Sequence, residues 1–186
     1  NMGAESGVSD ALKKRAAELR GKTIYGDETL IGGAAEFATY MTDSDAISTM
    51  MSALTNYAAG MSGGGEVGYN EMVDYATQLG KVLNGTFDGI SKKGFEVTEA
   101  QKAIIENGTD MEKALVVEEI INESWEGLAE QMRSLPSGQI IAVKNSLGDI
   151  REELAAQIYP SVVSIFETIM NNSGSAQSLI NGIADA

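Results

Sequence analysis

Apolar residues recur at intervals of three and four along most of this chain, the spacing that places side chains on one face of an α-helix. The clearest case lies within residues 43–59, where six apolar side chains share a face: Ile47, Met50, Met51, Leu54, Tyr57 and Ala58. Three further helices are predicted at about 9–20, 28–41 and 70–83, with Ser9 and Asn70 as N-caps. No segment makes a convincing strand. The pattern therefore predicts an all-α protein.

Two helix starts in the second half of the chain are marked by capping boxes. Thr98 is followed by Gln101, and Thr109 by Glu112; in each pair the two side chains can satisfy each other's backbone N–H groups. From Thr109 onward the apolar steps predict one amphipathic helix over 109–133.

A turn at Ser134–Gly138 precedes the longest helix that the pattern predicts. Pro136 suits a first helical position, and residues 137–170 would span about 50 Å as a single helix. Pro160 lies inside this helix and predicts a kink. We expect residues 109–133 to pack antiparallel against the start of 137–170, which gives a helical bundle or hairpin with a long, kinked C-terminal helix.

The glycine-rich segment 61–70 interrupts the helical pattern and is predicted to be a loop. It divides the chain into N-terminal helices at 1–69 and a region at 70–186 that contains the long-helix hairpin. Because Asn1 precedes Met2, we expect the chain to be an excised piece of a longer protein. The N-terminus lacks the basic and apolar regions of a secretory signal.

Composition and net charge exclude several classes of function. Lys and Arg number 13 against 27 Asp and Glu, a net charge of −14 that opposes binding to nucleic acid or anionic lipid. The chain has no Cys and no His, so disulfides, thiolate nucleophiles, Cys/His zinc sites and imidazole bases are excluded. No apolar run exceeds four residues, the length of 114–117, which is far shorter than the roughly 18 residues of a membrane span. We expect no enzyme activity, cofactor, metal, transmembrane segment or direct nucleic-acid binding.

Two short motifs match ligand-binding patterns in spacing alone. Gly63, Gly65 and Gly68 fit the dinucleotide-binding fingerprint, but no βαβ unit surrounds them, so a loop is the favoured interpretation. Asp43 and Asp45 alternate as in calcium loops, without the glycine and distal glutamate that such loops require. Helix capping is the favoured role of this pair.

Carboxylate pairs and methionines also admit two interpretations. Glu118–Glu119 and Glu152–Glu153 could supply an acid and a base, but adjacent helical residues diverge by about 100°, so a solvated surface is favoured. Trp125 is interpreted as a core anchor rather than a ligand platform. Five methionines are interpreted as core residues, with an adaptable binding surface as the alternative: Met41, Met50, Met51, Met61 and Met72.

An ordered series of motifs resembles the core region of tail tape measure proteins of long-tailed bacteriophages and prophages. The motifs are YATQLGKVLNG at 75–85, FEVTEAQ at 95–101, IENGT at 105–109, GLAE at 127–130 and GQIIAVKNSLGDI at 138–150. The resemblance extends from about residue 34 to about residue 163. Its family-like motif or packing positions are Gly80, Trp125, Gly127, Gly138, Lys144, Asn145, Gly148 and Asp149. Of these, Gly148 is expected to permit close approach of another helix.

The resemblance implies a structural protein, a long and mostly helical chain that occupies the tail tube, sets tail length during assembly and leaves during genome delivery. It implies a location in the tube lumen of the virion tail, and in the host cytoplasm during assembly. The implied partners are other copies of itself, tail tube proteins and tail assembly chaperones, and no catalytic residues are implied. The alternative is a helical protein–protein interaction or scaffold module unrelated to phage tails, which the same amphipathic helices would serve.

Overall fold

The described part of the chain is helical and contains no strand, which confirms the predicted all-α class. The computed structural model describes residues 2–139, 141 and 145, with side chains described from Asp10 onward. Contacts divide the chain into Asn1–Ala142 and Val143–Ala186. Helices from both sides of the glycine-rich segment pack together in the first of these units.

Within the described residues the helices are short and follow one another closely. Their bounds are α1 Met2–Lys22, α2 Asp27–Phe37, α3 Ser44–Ser62, α4 Tyr69–Leu83, α5 Asp88–Ser91, α6 Glu99–Asn107, α7 Asp110–Trp125 and α8 Leu128–Ser134. Residues 136–139 are also helical, and Pro136 is the first of them, as predicted. The predicted helix over 137–170, its kink and its packing against 109–133 otherwise lie outside the described residues.

The central helix of the fold is α3, which contacts α1, α2, α4, α7 and α8. Its predicted apolar stripe is buried throughout. Burying one Leu, Ile or Met side chain stabilises a fold by about 1.5–3 kcal/mol. The stripe of α3 therefore contributes much of the energy that holds the neighbouring helices against it. The core interpretation of the methionines is confirmed, with Met61 partly buried against the core and the other four buried: Met41, Met50, Met51 and Met72.

Asp43 is the N-cap of α3, which confirms the capping interpretation. Its carboxylate accepts hydrogen bonds from the backbone N–H groups of Asp45 (2.8 Å) and Ala46 (3.3 Å). A second carboxylate, that of Asp110 at the start of α7, accepts from the backbone N–H groups of Thr42 (2.8 Å) and Asp43 (3.2 Å). The starts of α3 and α7 are therefore tied together, although they are far apart in sequence.

Both predicted capping boxes are present. At α6 the Gln101 side chain accepts from the Thr98 backbone N–H at 2.9 Å, and the Thr98 hydroxyl accepts from the Gln101 backbone N–H at 3.2 Å. At α7 Glu112 and Thr109 make the same pair of bonds, at 2.8 and 3.3 Å. The bonds from Thr109 also lower the pKa of the Glu112 carboxyl.

The predicted bounds of the first two helices are wrong. α1 begins at Met2, so Ser9 lies inside it rather than at its N-cap, because no proline stops the helix before that point. α2 ends at Phe37 instead of about residue 41. Its last turn is tightened by backbone bonds from Thr39 to Glu36 and from Tyr40 to Phe37, which reach back three residues rather than four.

The glycine-rich loop is shorter than predicted. α3 continues through Met61 and Ser62, and its C-cap is Gly63 in the left-handed region at φ 63°. α4 already starts at Tyr69, so Asn70 lies within the helix and does not cap it. The N-cap is Gly68, which has no side chain to bond to the helix start. Its backbone is extended, and its carbonyl accepts a hydrogen bond from the Met72 N–H at 3.0 Å.

The predicted single helix over 109–133 is broken. α7 ends at Trp125, Glu126 and Gly127 form a turn in which Gly127 has a φ of 67°, and α8 begins at Leu128. The apolar steps continue through the break, which is why periodicity alone missed it. The four-residue helix α5 was also not predicted, since so few residues establish no period.

Candidate functional site

Trp125 belongs to an aromatic cluster and packs, partly buried, against the hydrophobic core. Its ring centroid lies 4.7 Å from that of Phe95, edge-on at 84°, and 5.8 Å from that of Tyr57. Tyr75 packs edge-on against Tyr57 at 5.9 Å. Aromatic pairs of this geometry add about 0.5–1.5 kcal/mol each beyond burial. The cluster fixes the end of α7 against α3.

Glycines let rings lie directly on two helices. A Cβ added to Gly80 in α4 would lie 2.6 Å from Cζ of Tyr40, and one added to Gly60 in α3 would lie 2.6 Å from Cε2 of Trp125. Carbon atoms in contact are normally about 3.5–4.0 Å apart. Gly80 is thus a packing position, and Gly60 is a second one that the sequence interpretation did not single out.

Gly127 is the turning point between α7 and α8, and Asn56 of α3 holds that turn. The Asn56 side chain donates to Oδ1 of Asn122 in α7 at 3.1 Å and accepts from the backbone N–H of Ala129 in α8 at 3.1 Å. One amide therefore bonds to both helices flanking the break. The direction that α8 takes is set by this contact together with the left-handed backbone of Gly127.

Gly138 lies in the helical turn after α8, packed closely against the backbone of Met132 and Arg133. Arg133 donates through Nη1 to the backbone carbonyls of Arg20 (3.0 Å) and Thr23 (2.5 Å), so a positive charge sits at the C-terminal end of α1, where the helix dipole favours it. The remaining motif positions are Lys144, Gly148 and Asp149, outside the described residues, and Asn145, whose backbone is helical.

The carboxylates Glu118 and Glu119 diverge, as predicted for helical neighbours. Glu119 is exposed and accepts a hydrogen bond from Gln101 of α6 at 3.3 Å. Glu118 is half-buried, and this burial raises its pKa, although the nearby Arg15 of α1 partly offsets the effect. Among the described residues no three Asp or Glu side chains are grouped so as to hold a metal ion.

Buried tyrosines form the other group of titratable side chains in the core. The Tyr57 hydroxyl donates to Gln78 at 2.8 Å, and the Tyr75 hydroxyl donates to the carboxylate of Glu71 at 2.7 Å. Burial, and then the Glu71 carboxylate, raise the pKa of Tyr75 to about 12; burial also raises that of Tyr57. Both hydroxyls are therefore fixed hydrogen-bond donors at neutral pH.

A groove of about 610 Å³ lies beside α5 and the start of α6. Its lining is Phe87, Asp88, Ser91, Gly94, Phe95, Glu96, Val97 and Lys102. Lys102 is paired with Glu99 at 2.7 Å. The groove mixes apolar side chains with charges of both signs, and its shape and polarity do not define a ligand class.

The glycines of the fingerprint-like motif lie in the link between α3 and α4, as the loop interpretation predicts. Gly64, at φ 81°, packs against the side chain of Met132 in α8. Val67 of the same link is buried. The link is thus bound to the core on one side and is not followed by the strand–helix unit of a dinucleotide site.

Two large apolar residues are exposed on the helical hairpin formed by α6 and α7. Ile104 is 40% exposed and Leu115 is 51% exposed. We call this surface, made by Ile104, Leu115 and the neighbouring Glu112 and Glu119, the α6–α7 face. The sequence interpretation missed it, although Leu115 signals it by lying off the stripe that Ala114 begins.

The described helices include none long and apolar enough to cross a membrane. No protein-family model, curated protein or solved structure matches the chain. The case for a function accordingly rests on the chain's own motifs, helices and surface.

Proposed function

We propose that this chain is a segment of a tail tape measure protein of a long-tailed bacteriophage or prophage. The observation that carries the proposal is the ordered series of motifs from residue 75 to residue 150, which ends in VKNSLGD at 143–149. Its setting supports the proposal, because the motifs that lie in the described residues fall on the helices and helix junctions of an all-α chain.

The role has a physical basis in helical backbone geometry. An α-helix advances about 1.5 Å per residue, and its hydrogen bonds lie within one chain, so a helical protein converts residue number into length. A net charge of −14 disfavours adhesion to DNA moving through the same lumen. In this role the chain acts in the tail tube, with other copies of itself, tube proteins and assembly chaperones as partners.

The described residues form a folded module rather than one continuous helix, and this affects how the segment would set length. α1, α2, α4, α7 and α8 pack directly on α3, while α5 packs on α4 and α6 packs on α4 and α7. As a compact module, residues 27–134 would contribute roughly 35 Å along a tail axis, the diameter of a domain of this size.

The test is a tandem duplication of residues 27–134 in the parent gene, which leaves the original module in place. We expect peptides of this chain in purified tails by mass spectrometry, and tails lengthened by a fixed amount in electron micrographs. A matched duplication in an unrelated virion gene is the control. Tails of unchanged length, or tails without the protein, would contradict the proposal.

The second candidate function is a helical interaction or scaffold module unrelated to phage tails. The exposed side chains of Ile104 and Leu115 on the α6–α7 hairpin favour it, because apolar side chains on a helix pair can receive the apolar face of a partner helix. This candidate predicts that the protein is absent from tail particles and is recovered with a cellular partner.

A further inference from the structure

The two helices of the α6–α7 face lie side by side and antiparallel, and a short link and two contacts fix their register. Only Gly108 and the N-cap Thr109 separate α6 from α7. Gln101 near the start of α6 reaches Glu119 in the second half of α7. At the other end, Gly108 packs next to Glu112. The surface is therefore a preformed shape, held by the capping boxes and by the buried sides of both helices.

The exposed apolar side chains lie on the same side of this pair. A Cβ at Gly108 would be 3.2 Å from Cγ2 of Ile104 and also 3.2 Å from Cβ of Glu112, so these two side chains flank one point. Leu115 follows Glu112 by three residues and so lies next to it on the helix surface. Ile104 and Leu115 consequently form one small apolar strip with carboxylates beside it.

The charge around the strip is strongly negative. α6 carries two carboxylates and one lysine, and α7 carries five carboxylates and one lysine. The lysine of α6, Lys102, already pairs with Glu99. Glu112 and Glu119 border the strip itself, and a second copy of this face would bring the same charges together, so self-association through the face is disfavoured.

We propose that the α6–α7 face binds a basic amphipathic helix of a partner protein, with apolar side chains of that helix on Ile104 and Leu115 and its lysines or arginines near Glu112 and Glu119. A partner helix with apolar side chains at spacings of three and four would place them on the apolar strip. The lysines or arginines that flank those side chains would then lie near the carboxylates that border the strip. This inference concerns the surface and does not depend on a role in phage tails.

The test uses the full chain and a fluorescent synthetic helix of leucine and lysine, with leucines at positions i, i+3, i+4 and i+7. A scrambled peptide of the same composition is the peptide control. The test variant is Ile104→Gln/Leu115→Gln. Tyr69→Gln/Leu135→Gln is the matched control, because Tyr69 (54%) and Leu135 (47%) are equally exposed apolar residues on other surfaces.

We expect the amphipathic peptide to bind the wild-type chain at physiological salt, and the test variant to weaken binding at least tenfold. The control variant should change binding less than twofold, and Glu119→Lys should weaken it and reduce its salt dependence. Backbone amide NMR shifts on titration should cluster between residues 100 and 119. Circular dichroism checks that each variant is folded.

Four results would overturn the proposal. They are no binding to the wild type, equal binding of the scrambled peptide, equal weakening by the two double variants, and shifts centred elsewhere. Sedimentation gives a further decisive outcome: a wild-type dimer that Ile104→Gln/Leu115→Gln dissociates, without peptide binding, would assign the face to self-association instead.

Discussion

Replacing Gly60 by alanine should destabilise the fold, because the added methyl group meets the ring of Trp125, which is already packed against Tyr57 and Phe95. The new Cβ would lie 2.6 Å from Cε2 of Trp125, and two further ring atoms are closer still. Normal contact needs about 3.5–4.0 Å, so the ring would have to shift by about 1 Å. Tyr57 and Phe95 hold it on its other sides.

The magnitude follows from two opposing effects. Overpacking a core costs about 1–3 kcal/mol, and exchanging glycine for alanine inside a helix returns up to about 1 kcal/mol. We expect a net loss of about 1–2 kcal/mol, which lowers Tm by roughly 2–8 °C in a protein of this size. Gly21→Ala is the matched control, since Gly21 is helical and exposed and its Cβ would meet nothing within 4 Å.

Thermal unfolding followed by circular dichroism measures both variants against the wild type. The chain has one tryptophan, so its fluorescence reports directly on the ring that must move. Gly60→Ala should lower Tm and change the emission, whereas Gly21→Ala should leave the emission unchanged and raise Tm slightly. An equal rise in Tm for both variants would refute the packing argument.

Three further predictions concern single groups. Gly127→Ala should cost about 1 kcal/mol in urea unfolding, because Gly127 has a left-handed backbone, and Gly127→Asn should cost less. Burial raises the pKa of Glu118, so the charged carboxylate destabilises the folded state above that pKa, and this effect is absent below the unfolded value of about 4.3. Glu118→Gln should therefore raise Tm at neutral pH and lose this advantage near pH 4. The rise at neutral pH should exceed that of the exposed control Glu123→Gln. The pKa of Tyr75, at about 12, exceeds its unfolded value of about 10, so the stability of the folded state should fall as pH rises from 10 to 12. Tyrosinate absorbance measures the ionisation, and circular dichroism measures the accompanying loss of structure.

The sequence predicts best where the determining contacts are local. The α3 stripe repeats over about three turns, and each capping box lies within four residues, so one short window contains the whole signal. The break at Gly127 depends on Asn56, which bonds to both α7 and α8 from another helix. No window around residue 127 contains that partner, and the uninterrupted apolar steps favour a continuous helix.

Surface and packing features were harder to predict for the same reason. Gly60 is critical only because Trp125 lies on it, a contact between residues far apart in the chain. Exposure of Leu115 depends on where α3 and α6 lie relative to α7, and periodicity within α7 carries no such information. Motif positions such as Gly80 mark places where packing is close, but only the fold identifies Tyr40 as the side chain that packs there.

A folded module sets a condition on any length-measuring role of this region. Residues 27–134 would span about 160 Å as one helix, against roughly 35 Å as a compact module of the same length. Extending them would expose the α3 stripe, each large side chain of which contributes about 1.5–3 kcal/mol by its burial. An extended form is therefore stable only if neighbouring chains cover the same stripe. Duplicating residues 27–134 distinguishes the two forms, because an extended segment lengthens the tail by about 160 Å and a folded one by roughly 35 Å, the diameter of a compact domain of this size.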